Sequence, residues 1–193
     1  MKDINCIEID LDRRSRYVRA CLEDCNRMHR AVQALFDCAR QHGDVLYRTL
    51  DGDLKIRTDR FLKGRGLPDG FTVRNVTELD VPAAGRVMRF RLACAPRNSK
   101  DGKKHFLKKE EERAAWLDRK LAEAGVQLLT LDEQGLFRVH GSRKHREITM
   151  GAASYTGTLQ ITDRELLETA LRTGIGAGKA YGLGMLILSR EVC

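Results

Sequence analysis

The chain has 193 residues, of which 42% are hydrophobic and 32% charged. That is enough for one large domain or two small ones around a real core, and no long stretch reads as disordered. A formal net charge of +8 favours an anionic, phosphate-rich partner, with RNA the leading candidate. The opening MKDINCIEIDLDRR mixes acids and bases into its apolar run. It reads as neither signal peptide nor membrane span, so a cytoplasmic protein with no membrane partner is expected.

Ile4 to Leu11 reads as a first strand, with Ile7, Ile9 and Leu11 on one face. Apolar residues at Leu22, Cys25, Met28, Val32, Leu35 and Phe36 predict a single amphipathic helix over about 20–41. His42 follows as its C-terminal cap. Val45–Leu50 and Leu54–Arg57 form a hairpin about Asp51-Gly52-Asp53, and Phe71–Leu79 is a further strand. Val81-Pro82-Ala83-Ala84-Gly85 reads as a linker, dividing the chain into domains 1–80 and 86–193. Beyond it, Val87–Ala95 alternates as a strand, and residues 110–124 form a helix with Ala114, Leu117, Leu121 and Ala124 inward. Val126–Leu131 and Leu136–His140 read as strands joined by a turn at 132–135; Ile148–Met150 and Tyr155–Ile161 follow as separate strands. Asp163 caps a helix to Arg172, and Met185–Leu188 is the last strand. The second half is thus β-α-β-β-(β)-α-β, and the first a less regular copy. The expected fold class is α+β, with tandem ferredoxin-like (RRM-like) domains and antiparallel sheets.

Six cysteines form no paired CxxC knuckle, so they read as reduced, mostly buried small hydrophobes. Arg138, His140, Arg143, Lys144, His145 and Arg146 fall in one stretch with no acid; Arg97, Lys100, Lys103, Lys104, Lys108 and Lys109 make a second basic cluster. Such patches neutralise phosphates and release counterions. Residues 173–184 crowd Gly174, Gly176, Gly178, Gly182 and Gly184 around Lys179. The order helix-loop-strand excludes a dinucleotide fingerprint, and Ala180 after Lys179 excludes a P-loop. The remaining readings are a packing turn or a concavity where Lys179 and open amides meet phosphate. His29, beside the apolar stripe of the first helix, is the candidate general base, with a structural role as the alternative. No metalloenzyme signature or closely spaced carboxylate pair occurs, so no metal and no cofactor is expected.

Asn26-Arg27-Met28-His29-Arg30 and the run Arg172 to Gly184 together resemble CasE, the CRISPR repeat-RNA endoribonuclease of the type I-E Cascade system. Arg89-Phe90-Arg91-Leu92, Pro96, the lysine-rich turn and Ala115-Trp116-Leu117 match in the same order. The resemblance implies tandem ferredoxin-like domains and a metal-independent endoribonuclease. It would cut precursor CRISPR RNA at the base of the repeat hairpin, leaving a 2′,3′-cyclic phosphate. It would then remain on the hairpin beside the other subunits of Cascade. A subunit that binds the hairpin without cutting it is the alternative. His29 falls on the family's catalytic histidine, with Asn26, Arg27 and Arg30 as supporting residues. Arg143, Lys144 and Arg146 lie where the family has basic residues that engage the hairpin stem; Arg138, Lys103, Lys104 and Lys108 are read as RNA-binding from the charge of their two clusters. Gly176, Gly178, Lys179, Gly182 and Gly184 match the glycine-rich loop. The family often places a tyrosine three residues before the histidine; here that residue is Asn26, whose amide orients groups but does not exchange a proton.

Overall fold

The computed structural model describes residues 4–36, 45–50, 52–64, 66–143 and 146–190, with positions 50, 100, 103, 143 and 190 described by backbone alone. The chain divides into two compact units, and the division is not a single cut. The first unit comprises Met1–Asp80, Val139–Thr149 and Lys179–Gly182; the second comprises Val81–Arg138, Met150–Gly178 and Leu183–Cys193.

In the first unit, β1 (Asn5–Leu11), α1 (Arg16–Glu23), α2 (Cys25–Gln33), β2 (Val45–Leu50), β3 (Asp53–Thr58) and β4 (Phe71–Glu78) follow in order. They form a four-stranded sheet ordered β2-β3-β1-β4. β1 lies between antiparallel partners, with Ile7 opposite Ile56 and Ile9 opposite Leu54. A bulge between Glu8 and Ile9 shifts its pairing with β4. Alternation sends Ile7, Ile9, Leu54 and Ile56 inward against Val18, Met28, Ala31 and Val32 of the helices. Each such aliphatic side chain contributes about 1.5–3 kcal/mol by leaving water. On the opposite face Arg74 bridges Asp53 (2.6 Å) and Asp10 (3.0 Å).

The single helix expected over 20–41 is two helices. Asp24 breaks it with an extended backbone (φ −129°, ψ 110°) and caps α2, while Ser15 caps α1. Leu22, placed on the buried stripe by its spacing, is consequently 41% exposed. Residues 37–41, His42 and Asp51 lie outside the described residues.

The elements β5 (Val87–Cys94), β6 (Arg97–Lys100), β7 (Lys103–Phe106), α3 (Glu110–Glu123), β8 (Val126–Arg143), β9 (Arg146–Ile161), α4 (Arg164–Thr173) and β10 (Ile187–Arg190) follow; they make up the second unit, except that the end of β8 from Val139 and the start of β9 to Thr149 belong to the first. The second unit's sheet is ordered β10-β5-β9-β8, so in each sheet the last strand flanks the first, followed by the third and second. Three expectations need correction. The two strands predicted within 126–140 are one strand, β8. Their supposed turn, Asp132-Glu133-Gln134-Gly135, instead spends its side chains on neighbours: Glu133 pairs with Arg113 and Gln134 reaches Thr156 Oγ1 at 3.1 Å. The strands predicted at 148–150 and 155–161 are likewise continuous in β9. The last strand begins two residues later than expected, after the buried pair Met185 and Leu186. The β6–β7 hairpin, which carries much of the second basic cluster, was not anticipated.

Candidate functional site

α2 is short, and its side chains divide cleanly. Met28, Ala31 and Val32 enter the core, Arg27 and Arg30 are exposed, and His29 is half-buried at the boundary. The His29 ring stacks on Tyr47 of β2, with centroids 6.4 Å apart and planes inclined 27°. Tyr47 is buried, and its hydroxyl donates to the Ala180 carbonyl at 2.8 Å. Burial first, then the neighbouring Cys25, Tyr181 and Cys21, push its phenol well above the usual range, so it stays a neutral donor. Ala180 sits in a single 3-10 turn, Lys179–Tyr181, which touches both α2 and β2. Gly182 closes that turn through its amide to the Lys179 carbonyl at 3.3 Å. Burial lowers the Lys179 ammonium pKa.

The far end of the β8–β9 hairpin meets the start of α2. The Gly141 backbone comes so near that a Cβ there would lie 2.6 Å from Cys25 Sγ and 2.9 Å from Asp24 Oδ1. The Cys25 thiol is pushed up to about 11, by burial and then by the Asp24 carboxylate, and so remains a neutral thiol at neutrality. Arg143 ends β8, and Arg146 opens β9 with an exposed side chain; Lys144 and His145 lie outside the described residues.

One unit therefore brings together Asn26, Arg27, His29, Arg30, Arg143, Arg146, Lys179 and Gly182. Lys103, Lys104, Lys108 and Arg138 belong to the second unit, where Lys104, Lys108 and Arg138 are exposed. Gly176, Gly178 and Gly184 also belong there. These three glycines admit packing rather than forming an open cradle. A Cβ would meet Trp116 at 2.9 Å from Gly176, Leu183 and Met150 at 2.8 Å from Gly178, and the Ile175 carbonyl at 2.5 Å from Gly184. The amides of Gly184, Ile175 and Leu183 are spent on Ala93, Gly184 and Gly178 carbonyls. Within the glycine-rich run, Lys179 remains as a charged group carried to the histidine's unit. Sequence reasoning missed Tyr47, Asp24 and Ser142. Tyr47 looked like any inward strand residue, and Asp24 alone carried a local signal, as a helix-capping residue within the supposed helix.

A half-buried histidine held by an aromatic ring, with cationic side chains on adjoining segments, defines an α+β protein built to handle an anionic ligand. The family model that describes a CRISPR-associated protein matches residues 6–190, and the chain belongs to that family, in its CasE/Cse3 type. It is 34% identical over 116 residues to the CRISPR-associated endoribonuclease Cse3 of Thermus thermophilus. That stretch is 53% of this chain and 55% of the relative, so it spans about half the relative's length. The structure of Thermus thermophilus Cse3 bound to an RNA representing a pre-cleavage complex superposes with a TM-score of 0.87 at 26% identity, covering 97% of this chain and 99% of that one. The Cas6e protein of Escherichia coli, at 20% identity and TM-score 0.72 over 97% of this chain and 100% of its own, shares the fold.

Proposed function

We propose that this chain is a metal-independent endoribonuclease that cuts precursor CRISPR RNA at the base of the repeat hairpin and stays on the product as a Cascade subunit. The observation that carries the reading is His29: a half-buried imidazole on α2, stacked on Tyr47, in the same unit as Lys179 and the basic hairpin end. RNA-bound Cse3 relatives support the substrate class. The common strand order of the two sheets supports a tandem ferredoxin-like architecture.

In this mechanism His29 takes the proton of the ribose 2′-OH at the foot of the stem. The 2′-oxygen forms a bond to the adjacent phosphorus while the in-line bond to the 5′-oxygen breaks, leaving a 2′,3′-cyclic phosphate and a 5′-hydroxyl. Lys179, Arg27 and Arg30 supply positive charge for the phosphorane as it forms. Burial makes the Lys179 ammonium a stronger acid than a solvated lysine, suiting it to protonate the departing oxygen. Arg143, Lys144 and Arg146 grip the stem.

The test is single-turnover cleavage of repeat RNA in EDTA. His29→Ala is expected to lower the rate about 10²–10⁴-fold, and the wild-type product carries a cyclic phosphate; an unchanged rate removes His29 from the chemistry. A second reading, hairpin binding without cutting, is favoured by Asn26, whose amide is turned to the Ser142 carbonyl (2.8 Å). It predicts tight binding and an intact repeat from the wild type.

A further inference from the structure

Asp24 makes hydrogen bonds with both carboxylate oxygens, in two directions. Oδ1 caps α2, accepting from the amides of Asn26 (2.8 Å) and Arg27 (3.0 Å). Oδ2 faces the other way and accepts from Ser142, through its amide at 3.1 Å and its hydroxyl at 2.9 Å. Two residues on, Asn26 Nδ2 donates to the Ser142 carbonyl at 2.8 Å. Both backbone groups of Ser142 and its side chain are therefore held by residues 24 and 26. Gly141 beside it permits the approach, because a Cβ there would collide with Cys25 and the capping carboxylate. Asn26 is itself buried at 9% exposure, so its amide is committed to this contact.

We infer that Asp24, Asn26 and Ser142 form a latch fixing the basic hairpin end to the helix that carries His29, with Asn26 as a positioning residue. The inference rests on the reading of the chain as an endonuclease acting through His29. Arg143 follows Ser142 directly, and His29 stands three residues beyond Asn26, about 4.5 Å along the helix axis. A stem gripped by the hairpin is thus registered against the imidazole within one helical turn. Registration matters because a misplacement of about 1 Å at a reacting centre lowers rate on the order of 100-fold. The short linkage from the Asp24 and Asn26 side chains to Ser142 does what a separate helper residue would otherwise have to do: it restricts where the ribose meets the imidazole.

Asp24→Asn separates latch from cap. Asparagine caps a helix as well as aspartate, but its amide nitrogen would face the Ser142 backbone amide, donor against donor, leaving at most a reversed bond to the hydroxyl. Asn26→Ala removes the other half. Each is expected to lower the single-turnover cleavage rate about 10–100-fold while the Kd for a repeat hairpin with a 2′-deoxy ribose at the cut site stays within about threefold. Ser142→Thr, which keeps the hydroxyl, is expected to cleave at the wild-type rate. In a second arm, that 2′-deoxy hairpin slows amide exchange across residues 25–33 in the wild type and not in Asp24→Asn. Unchanged rates, rate and affinity falling in proportion, or equal protection of α2 in wild type and variant each overturn the latch. Should the wild type fail to cut at all, the catalytic reading falls, and the exchange arm still decides whether the latch exists.

Discussion

Replacing Tyr47 by phenylalanine deletes one oxygen from a position that combines two jobs, and the two can be weighed separately. The hydroxyl donates to the Ala180 carbonyl at 2.8 Å, tying the 3-10 turn to β2, while the ring faces His29. Loss of a hydrogen bond of this kind costs about 0.5–1.5 kcal/mol, and more where the acceptor is stranded from water. Ala180 is only half-buried, which keeps the expectation near 1–1.5 kcal/mol. For a chain of this length that is a fall in Tm of about 3–5 °C. Tyr47→Ala removes the buried ring as well, and large-to-small changes of this kind cost about 3–5 kcal/mol, a fall near 10 °C or more by the same scaling. Thermal unfolding by circular dichroism measures both. Single-turnover cleavage below both transitions separates ring from hydroxyl: Phe is expected to stay within about threefold of wild type and Ala to fall tenfold or more, by loss of the surface that orients the imidazole. Equal rate losses in Phe and Ala would refute the argument, because they would put the hydroxyl, not the ring, behind His29.

Three further outcomes concern the second unit. Gly184 and Gly85 have nearly the same backbone angle (φ 84° and 85°), but a Cβ on Gly184 would lie 2.5 Å from the Ile175 carbonyl and one on Gly85 meets nothing within 4 Å. Gly85→Ala should cost the left-handed penalty alone, about 1–2 kcal/mol, and Gly184→Ala a further 1–3 kcal/mol for the clash; equal losses in urea titrations would show that close packing is not what holds Gly184 to glycine. Arg113, 3% exposed, clasps Glu133 through Nε at 2.8 Å and Nη2 at 2.5 Å and also donates to the Lys108 carbonyl at 2.6 Å. Removing its guanidinium (Arg113→Ala) should cost about 3–5 kcal/mol. The bond from Arg113 holds the Glu133 carboxyl below its usual range against the opposing effect of burial. A carboxyl depressed in the folded state adds stability above its unfolded pKa, about 4.3, and loses it as pH falls through the folded value. Glu133→Gln should therefore lose less stability than wild type between pH 7 and pH 3, and parallel losses would discount the pair.

β1, β3 and β5 were legible because Ile7, Ile9, Leu54 and Ile56, or Met88, Phe90, Leu92 and Cys94, are buried at a period of two. Where local chemistry and long-range partners compete, the reading failed. Asp132-Glu133-Gln134-Gly135 has turn composition, yet Arg113, 20 residues earlier in the chain, claims Glu133 and keeps the segment extended. The break at Asp24 was hidden for the opposite reason: apolar spacing runs through it undisturbed, and the partner that makes an extended residue worthwhile there is Ser142, 118 positions away. The glycine-rich run announced close approach correctly but not its object. Trp116, Leu183, Met150 and Ile175 occupy the space beside Gly176, Gly178 and Gly184.

Position 26 shows how such a distant partner changes the meaning of a residue. Judged beside His29 on a bare helix, asparagine is a weak replacement for a tyrosine, since it exchanges no proton. Its amide, however, is buried and donates to a carbonyl on the segment that carries Arg143. A phenol at 26 would be longer than the amide and would carry one donor, and to reach the Ser142 carbonyl it would have to displace the hairpin end that Gly141 brings against Cys25. Asn26→Tyr is therefore expected to weaken cleavage rather than restore a missing helper, with amide exchange rising across residues 139–143. A faster cut by Asn26→Tyr with those amides still protected would mean that the pocket has room for both roles, and that Asn26 is not needed to hold the hairpin.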